Sequence, residues 1–562
     1  MTPRAKDTDA AMLRRLVGLS RPYAGWMLAA GVVACVTVLA SIGLMTVAGW
    51  FIAAMAIAGV STGMMNYFMP SAGIRLFAIL RTGGRYGERL LSHEATFRLL
   101  AGVRLWLFRR LVPLAPAGLT DRRGADLAGG LQADVDTLQH AYLRLGAPVA
   151  VAAACALVVV AVLAALHPPT ALVVGALLLC AGGIGPLLAR RAAAAPGADA
   201  VRLRAELRVA VVDALQGATD LRAAGVVERQ LDSVSGVSTA LAEAQRRAAV
   251  SGTLAEAGVG LCAGLALWGA ALLAAMSVAA SSLDPALVPA LALAALASFE
   301  AVAPLPGAMQ RWGEVMAAAR RLFALADRTP VIVAGSDPSP EPRDGSLEFA
   351  AVRLRYTPDA PLALDGLDLA IPAGRRVALL GPSGAGKSSI ARLLLRFWDY
   401  EGEISLGGHD LRRYRPEDLR RLVGVAAQDA QLFNATIREN LLMAAPEADE
   451  AAMLRALETA QLISFVAELP GGLDTWIGEG GARLSAGQAR RLVLARTLLR
   501  APLVLVLDEP TENLDATTSR RLLAALSEAT RGRTVILITH DPAAAEMFAD
   551  ETVRMEAGRR VA

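Results

Sequence analysis

The sequence predicts a membrane protein of two domains, in which an all-α bundle of six transmembrane helices precedes an α/β domain. The chain has 562 residues, which is long enough for two or more domains. Its residues are 54% hydrophobic and 19% charged, with a mean hydropathy of +0.44. This composition is too apolar for one soluble domain and too charged for a chain lying wholly in lipid. The formal charge of +4 is small for this length, so nucleic acid is not an expected partner.

Three apolar windows supply the predicted transmembrane helices. Residues 22–74, 145–189 and 248–310 contain no Lys or Arg, and each window exceeds the ~20 residues that one span needs. Turn-forming residues at 59–63, 167–169 and 281–285 divide each window in two. The second span also contains Arg75. The predicted spans are 25–47, 64–84, 146–166, 169–188, 254–279 and 285–307.

Charge placement predicts how these spans are oriented. Arginines are frequent in the connections 98–123 and 190–208, whereas the breaks inside the windows carry none. The positive-inside rule therefore places the N-terminus, both connections and the second domain in the cytoplasm. The first span lacks the short apolar region and cleavage site of a signal peptide, which predicts an uncleaved anchor.

The two connections keep helical patterning over lengths well beyond ordinary loops, so the helices are expected to continue past the membrane. Irregular stretches at 113–120 and 217–225 interrupt them. These turns either contact another domain or are ordinary solvated loops, and the pattern leaves both readings open.

A polar, proline-rich linker at 331–345 separates the two predicted domains. The transmembrane domain occupies 1–330 and the second domain 346–562. Short β-like runs alternate with helical runs in the second domain, which is the pattern of an α/β fold.

The first functional motif of the second domain is a phosphate-binding loop at 381–388. It follows the apolar strand 376–380 and precedes the helical run 389–397, which is the context that the P-loop pattern requires. Glycines let backbone N–H groups surround a β-phosphate, the helix N-terminus adds positive potential, and the Ser388 hydroxyl is expected to bind Mg²⁺. The predicted nucleotide-binding residues are Gly381, Pro382, Ser383, Gly384, Ala385, Gly386, Lys387, Ser388 and Ser389.

Lysine usage supports this prediction independently. Lys387 is one of two lysines in the chain, beside 54 arginines. A compact ammonium on a thin stem fits between β- and γ-phosphates, where a planar guanidinium does not. Lysine is therefore expected at this position for its chemistry.

An acidic pair ends a second buried strand. The apolar run 503–507 leads directly into Asp508 and Glu509, as in a parallel strand with acids at its carboxyl end. Asp508 is expected to hold Mg²⁺ through water, and Glu509 to polarise the attacking water as general base. A lone Asp-Glu pair would be a surface turn, but the preceding strand and the P-loop disfavour that reading.

The pentapeptide at 484–488, Leu-Ser-Ala-Gly-Gln, lies between the P-loop and the acidic pair. It resembles the signature of the ATP-binding-cassette (ABC) family, usually written LSGGQ, and the order of the three motifs is that of the family. The resemblance implies that Ser485, Gly487 and Gln488 cap ATP held by a second cassette.

The same resemblance assigns three further positions. It implies that Gln428 links Mg²⁺ and water to the membrane domain, that His540 contacts the γ-phosphate, and that Tyr356 stacks on adenine. Considered alone, His540 and Tyr356 would be taken as structural residues.

With one cassette and six spans, the chain resembles a half-transporter of the type I ABC exporter fold, an ATP hydrolase that needs a second half. Two stretches depart from the family pattern. Ala486 replaces a glycine, which still permits close backbone approach, and Glu512-Asn513-Leu514-Asp515 replaces the common Ser-Ala-Leu-Asp. The second departure concerns the coupling of paired sites rather than nucleotide binding.

Motifs in the N-terminal half narrow the resemblance. They lie at 40–44, 49–51, 81–90, 92–98, 134–138 and 298–301. They are similar to the CydC subunits of CydDC thiol exporters, and the similarity covers nearly the whole chain. It implies a heterodimer with a CydD-like half in the inner (plasma) membrane. That family exports glutathione and cysteine from the cytoplasm and is needed for assembly of cytochrome bd.

An arginine stripe offers a place for an anionic thiol. Arg81, Arg85 and Arg89 recur every fourth residue, so a helix presents them on one face with His93. They either hold the carboxylates of glutathione in a cavity or merely mark the cytoplasmic end of the span. Haem binding is associated with the family, and His93 is the position to test; otherwise His93 is a helix-surface residue.

Two other functions stay open at this point. The chain could be a homodimeric exporter of lipid or drug-like molecules. It could also be a regulatory half that binds ATP but hydrolyses little; the retained Glu509 and His540 argue against this, whereas Ala486 and the altered 512–515 stretch leave it open.

Overall fold

The computed structural model describes residues 8–60, 66–120, 124–332, 337–357 and 359–561. Parts of the predicted break at 59–63, the first residues of the span 64–84, the end of the connection 98–123 and part of the linker lie outside the described residues. The chain forms two compact units. The first comprises Met1–Val112 and Arg122–Arg328, and the second comprises Pro113–Asp121 and Thr329–Ala562.

The first unit is built from long α-helices. Helices α3, α7 and α9 extend far beyond the predicted spans, as the helical patterning of the connections predicted. Short 3₁₀ or π turns join several of the helices end to end. The helices are α1 Asp9–Ser20, α2 Ala24–Val60, α3 Phe68–Leu111, α4 Gly124–His140, α5 Ala147–Leu166, α6 Pro168–Leu179, α7 Gly185–Gln216, α8 Ala218–Ala223, α9 Val227–Ala279, α10 Leu287–Ser298 and α11 Leu305–Ala326.

Five helical segments of the described chain are long and apolar enough to cross a membrane. They are Asp9–Val60, Gly129–Leu166, Pro168–Gln216, Val227–Ala279 and Leu287–Ala326. Helix α3, which carries the second predicted span, is not among them; Arg75, Arg81 and Arg85 lower its hydropathy. The crossing of α3 therefore stays a prediction.

Small residues let the helices of this unit pack closely. The buried face of α9 presents Ala263, Ala266, Ala270 and Ala274 at helical spacing. A Cβ added at Gly84 of α3 would lie 2.3 Å from Thr37 Oγ1 of α2, so only glycine permits this approach. Close backbone packing of this kind substitutes for the hydrophobic effect between helices in lipid.

The motif at 134–138 braces α4 against its neighbours. Asp134 pairs with Arg321 of α11, and its side chain is only 13% exposed. Asp136 pairs with Arg104 of α3 at 3.0 Å. These acids of the family-like motif therefore join three helices.

The second unit contains two sheets. In the six-stranded sheet, of order β10-β9-β3-β8-β7-β6, the strands from β9 to β6 run parallel and β10 is antiparallel to β9. The antiparallel sheet has the order β2-β1-β4-β5. The strands are β1 Leu347–Leu354, β2 Leu364–Ile371, β3 Arg376–Leu380, β4 Glu401–Leu406, β5 His409–Asp410, β6 Val423–Ala426, β7 Val504–Asp508, β8 Thr534–Thr539, β9 Glu551–Glu556 and β10 Arg559–Val561.

The helices of this unit are mostly short. Several begin at a side chain that accepts a backbone N–H, such as Asp515 before α18, which is the usual N-cap arrangement. They are α12 Lys387–Leu394, α13 Pro416–Leu422, α14 Ile437–Leu442, α15 Glu450–Thr459, α16 Ile463–Glu468, α17 Ala486–Leu499, α18 Ala516–Ala529 and α19 Pro542–Phe548.

Three buried parallel strands position the functional loops. Every residue of β7 and β8 is buried, as the apolar runs in the sequence predicted. The strands β3, β8 and β7 are neighbours in the sheet and run in the same direction. Their carboxyl ends therefore meet at one edge, where the P-loop, the acidic pair and His540 follow.

The two predicted turns differ in their surroundings. The turn containing Ala117–Leu119 belongs to the second unit, where Ala117 packs against the hydrophobic core. The turn around α8 stays within the first unit.

Candidate nucleotide site and membrane arginine cavity

The P-loop joins the end of β3 to the start of α12. Gly384 and Gly386 have φ of 82° and 94°, in the left-handed region that glycine adopts without strain. A Cβ on Gly386 would lie 2.4 Å from Ala363 O, so the position also requires glycine for space. Lys387 Nζ donates to the carbonyl oxygens of Gly381 at 2.6 Å and Pro382 at 3.0 Å. The ammonium is thus held against the loop.

A cleft of 610 Å³ opens over this loop. It brings together most of the residues that the sequence predicts to bind or hydrolyse a nucleotide. It is lined by Tyr356, Ala363, Ser383, Gly384, Ala385, Gly386, Lys387, Ser388, Ser389, Arg392, Gln428, Asp508, Glu509, Glu512, Ile538 and His540. Gly381 and Pro382 do not line the cleft but accept hydrogen bonds from Lys387, which does. Ser485, Gly487 and Gln488 do not line it either.

Asp508 presents an unsatisfied oxygen to the base of the cleft. Its Oδ1 is buried and has no hydrogen bond, and the residue is only 6% exposed. Burial raises the pKa of Asp508, although a hydrogen bond from Ser388 partly opposes this effect. Mg²⁺ prefers oxygen ligands, and this buried carboxylate oxygen and the neighbouring Ser388 hydroxyl supply two of them. Ser388 and Asp508 would hold the ion with Gln428, and the ion would neutralise charge on the β- and γ-phosphates.

Glu509 is held in a strained backbone conformation. Its φ is 51°, a left-handed value that costs a non-glycine residue about 1–3 kcal/mol. Its N–H donates to Ile538 O at 2.9 Å, which ties the end of β7 to β8. This hydrogen bond to β8 maintains the strained backbone conformation, in which the Glu509 side chain lines the cleft.

His540 contacts the Glu509 carboxylate directly. Its Nδ1 lies 2.9 Å from Glu509 Oε1, and Thr539 Oγ1 lies 3.4 Å from Oε2. The hydrogen bond to Glu509 raises the pKa of His540. The two side chains differ in access to water, since that of Glu509 is 11% exposed and that of His540 is 66% exposed. In this arrangement Glu509 can act as a buried base whose carboxylate is oriented by His540 at the rim of the cleft.

Glu512 adds a third carboxylate to the cleft, a contact that the sequence did not reveal. It accepts a hydrogen bond from Gln428 Nε2 at 2.9 Å and pairs with Arg490 at 2.8 Å. Arg490 also donates to the backbone oxygens of Glu512 at 3.1 Å and Glu509 at 3.4 Å. Glu512, the first residue of the altered 512–515 stretch, therefore contacts the loop after β6 and helix α17.

Tyr356 is anchored by both its hydroxyl and its ring. The hydroxyl lies 2.8 Å from Ser389 Oγ and accepts from Arg392 at 3.0 Å. The ring packs edge-on against Trp398 at 5.2 Å between centroids. Arg392 was not identified from the sequence. The one signal for it was its position, one helical turn after Ser388 on α12.

The signature residues form the start of α17. Ser485 accepts from the Gln488 N–H at 3.2 Å, and Gln488 Oε1 accepts from the Ser485 N–H at 2.8 Å, a reciprocal capping box. A Cβ on Gly487 would lie 2.9 Å from Leu514 Cδ2 and 3.4 Å from Asn513 O, so a larger residue would displace the Leu514 side chain. Ala486 is exposed.

Three arginines of α3 share one cavity in the first unit. This arginine cavity has a volume of 350 Å³ and is lined by Leu44, Ala78, Arg81, Thr82, Arg85, Tyr86 and Arg89. Glu300 pairs with Arg85 at 3.2 Å, a partner that the spacing of the arginines could not indicate. His93 does not line the cavity; its ring is exposed and lies 6.0 Å from that of Phe97.

Comparisons with known proteins agree with this fold and site. Residues 364–512 match the family model of the ABC transporter domain. The chain is 40% identical over 520 residues to the glutathione/L-cysteine transport system ATP-binding/permease protein CydC of Escherichia coli K12, which covers 92% of this chain and 90% of that protein. It is 33% identical over 524 residues to the protein of the same name from Haemophilus influenzae Rd, covering 93% and 91%.

Two further comparisons differ in how much of the chain they cover. The ATP-dependent lipid A-core flippase of Haemophilus influenzae 86-028NP is 44% identical, but over only 40% of this chain and 38% of that protein. A solved structure of a bacterial Atm1-family ABC exporter with ATP bound matches with a TM-score of 0.79 and 24% identity, covering 99% of this chain and 95% of that chain. The predicted exporter fold is thereby confirmed.

The cassette uses ATP with Mg²⁺, and its hydrolysis is coupled to transport by a multi-pass membrane domain. The similarity to the CydC relatives spans both units, whereas that to the flippase is confined to less than half of the chain. The chain therefore belongs to the CydC family of ABC exporters.

Proposed function

We propose that this chain is the CydC-like half of a heterodimer that exports glutathione and cysteine from the cytoplasm and thereby supports assembly of cytochrome bd. The observation that carries the proposal is the 40% identity over 92% of the chain to a protein named as a glutathione/L-cysteine transport component. The arginine cavity supports it independently, because glutathione is an anion and guanidinium groups bind carboxylates strongly.

The cleft supplies a hydrolytic half-site in this proposal. Glu509 takes the proton of the attacking water, and His540 orients Glu509 and contacts the γ-phosphate. The phosphates lie along the P-loop, with Lys387 leaving its carbonyl partners for β- and γ-oxygens. Tyr356 packs on adenine. The hydrogen bond between Glu509 and His540 favours this reading over an ATP-binding half with little hydrolysis.

A second cassette completes the site. Ser485, Gly487 and Gln488 do not line the cleft of their own chain, so they are free to cap the ATP of a partner. We assign that partner to a CydD-like half. A homodimeric lipid or drug exporter is disfavoured, because the similarity to the lipid A-core flippase covers the length of one cassette only.

The charge pattern supports a bacterial inner-membrane location with the N-terminus and cassette in the cytoplasm. The arginine-rich connections 98–123 and 190–208 fall on one side under the positive-inside rule. ATP is available on that side, which agrees with the direction of export.

Two variants of the purified complex with its partner half test the proposal. Glu509→Gln should abolish turnover and trap bound ATP, because the amide cannot accept a proton. Arg85→Ala should weaken glutathione-stimulated ATPase activity at least about fivefold while changing basal activity less than about twofold. Full turnover by the chain alone, or glutathione uptake into inside-out vesicles that is independent of ATP, would refute the proposal.

Haem binding at His93 remains a hypothesis that comes from the family resemblance. His93 is exposed beside Phe97 and offers one axial nitrogen. Titration of the complex with haem, followed by the Soret band, should give a saturable change that His93→Ala removes. An identical spectrum in the variant would assign haem elsewhere.

A further inference from the structure

Glu300 lies where the last helical segment of the first unit is interrupted. Helix α10 ends at Ser298, a 3₁₀ turn spans Phe299–Ala301, and α11 begins at Leu305. This break falls inside the predicted span 285–307. An ionisable side chain within a membrane span is costly and is retained when it binds something.

Two other helices hold the Glu300 carboxylate. Arg85 of α3 pairs with Oε1 at 3.2 Å, and Ser41 of α2 donates a hydrogen bond to Oε2. The side chains of Arg85 and Glu300 are 49% and 40% exposed. The ion pair is therefore formed but accessible, so a ligand can exchange with either partner.

The charges of the arginine cavity are not balanced by Glu300 alone. Within the described part of the chain, Arg81 and Arg89 have neither an ion pair nor a hydrogen bond. Three guanidinium groups thus face one carboxylate. This excess favours a ligand with at least one carboxylate. The volume of 350 Å³ suits a small ligand or the head of a larger one.

We infer that the arginine cavity binds the α-amino-acid head group of the exported molecule, with its carboxylate on the arginines and its ammonium on Glu300. The inference rests on the proposed export of glutathione and cysteine, both of which carry this head group. Recognition then depends on the ammonium and the carboxylate, and the thiol is carried without being required for binding.

An exchange of ion pairs explains why Glu300 is present. When the ammonium takes Glu300, Arg85 is released to the ligand carboxylate, so neither Arg85 nor Glu300 is left without a partner. An anion without an ammonium leaves Glu300 on Arg85 and gains only Arg81 and Arg89. Glu300 lies on the 3₁₀ turn between α10 and α11. The exchange therefore also replaces Arg85 by the ligand ammonium as the ionic partner of that turn.

Three small thiols distinguish the parts of the head group. Cysteine has all groups, N-acetylcysteine lacks the ammonium, and cysteamine lacks the carboxylate. The measurement is the concentration of each that half-maximally stimulates ATPase activity of the complex with its partner half, reconstituted in liposomes. The wild type is expected to need at least about tenfold more of either analogue than of cysteine.

Glu300→Gln should abolish the preference for cysteine, so that the values for cysteine and N-acetylcysteine agree within about twofold. The ammonium then has no carboxylate partner, and Arg85 is available to the carboxylate of both ligands. The matched control is Glu314→Gln, since the Arg204–Glu314 pair has the same side-chain exposures of 49% and 40%. This control should keep the wild-type preference.

A preference for cysteine that persists in Glu300→Gln would overturn the inference. So would a wild type that responds equally to cysteine and N-acetylcysteine, a comparison that decides even if the variant fails to assemble. A complex that responds to no thiol and transports none would instead refute the proposed function.

Discussion

The amide nitrogen of Gln428 donates a hydrogen bond of 2.9 Å to Oε2 of Glu512, which joins the loop after β6 to the loop after β7. This hydrogen bond is the largest cause of the lowered pKa of Glu512, and Arg490 adds to it. An ionised carboxylate only accepts hydrogen bonds, so the nitrogen of the Gln428 amide must face it. The amide oxygen is then left for Mg²⁺ or water.

Glu512→Gln should lower the ATPase turnover of the complex about 3–10-fold and raise the Mg²⁺ concentration needed for half-maximal activity. A glutamine at 512 can donate or accept, so it no longer fixes which end of the Gln428 amide faces the cleft. The measurement is turnover at saturating ATP across a Mg²⁺ titration. Glu528→Gln, an exposed change on α18, is the control. Equal Mg²⁺ curves for both variants would contradict the positioning role.

The two central residues of the signature should respond differently to a change of one methyl group. Gly487→Ala places a Cβ 2.9 Å from Leu514 and 3.4 Å from Asn513 O, so we expect a loss of stability of about 1–3 kcal/mol. Ala486→Gly restores the common family residue at an exposed position and should change stability by less than about 1 kcal/mol. Thermal unfolding of both variants in the same detergent measures the difference. Equal melting temperatures would refute the packing argument.

Tyr356 allows the ring and the hydroxyl to be tested separately. Tyr356→Phe removes the contacts with Ser389 and Arg392 but keeps the ring against Trp398, so the KM for ATP should stay within about twofold. Tyr356→Ala removes the ring and should raise the KM at least about fivefold. Steady-state ATPase kinetics measure both. If Tyr356→Phe raises the KM as much as Tyr356→Ala does, the function belongs to the hydroxyl, which both variants lack.

The edge of the sheet where the cleft lies was predictable because parallel buried strands are visible in the sequence. The apolar runs before Gly381, Asp508 and His540 each lead directly into one of the motifs, and parallel strands bring the motifs after their carboxyl ends together. What the sequence did not reveal are partners that no periodicity relates. Gln428 and Glu512 are 84 residues apart, and no spacing rule joins two loops of that separation.

The membrane unit shows the same limit. Arg81, Arg85 and Arg89 were expected to share a helix face because helical spacing is local, and they do line one cavity. Glu300 lies 215 residues from Arg85, and its ion pair depends on how α2, α3 and the break after α10 pack. The hydropathy of α3 is reduced by the same arginines, so one feature both indicates the cavity and weakens the evidence for the span.

The Glu509–His540 pair predicts a pH dependence. Because Glu509 raises the pKa of His540 above its ordinary value of 6.5, the protonated imidazole is stabilised in the folded protein. The contribution to stability is complete below the pKa of the unfolded state and is lost as the pH rises through the raised pKa. Glu509→Gln removes the negative partner, so its melting temperature should fall below that of the wild type at pH 5.5–6 and approach it at pH 8–9.

Histidine titration followed by NMR of ¹³C-labelled imidazole gives a direct measurement, since the chain contains only five histidines. The His540 resonance, assigned with His540→Gln, should titrate at higher pH in the wild type than in Glu509→Gln. Asp541→Asn, which removes a weaker neighbouring charge, should shift the titration less, because Asp541 is the smallest of the causes that raise the pKa. If Asp541→Asn lowers the titration midpoint more than Glu509→Gln does, Glu509 is not the main partner of His540.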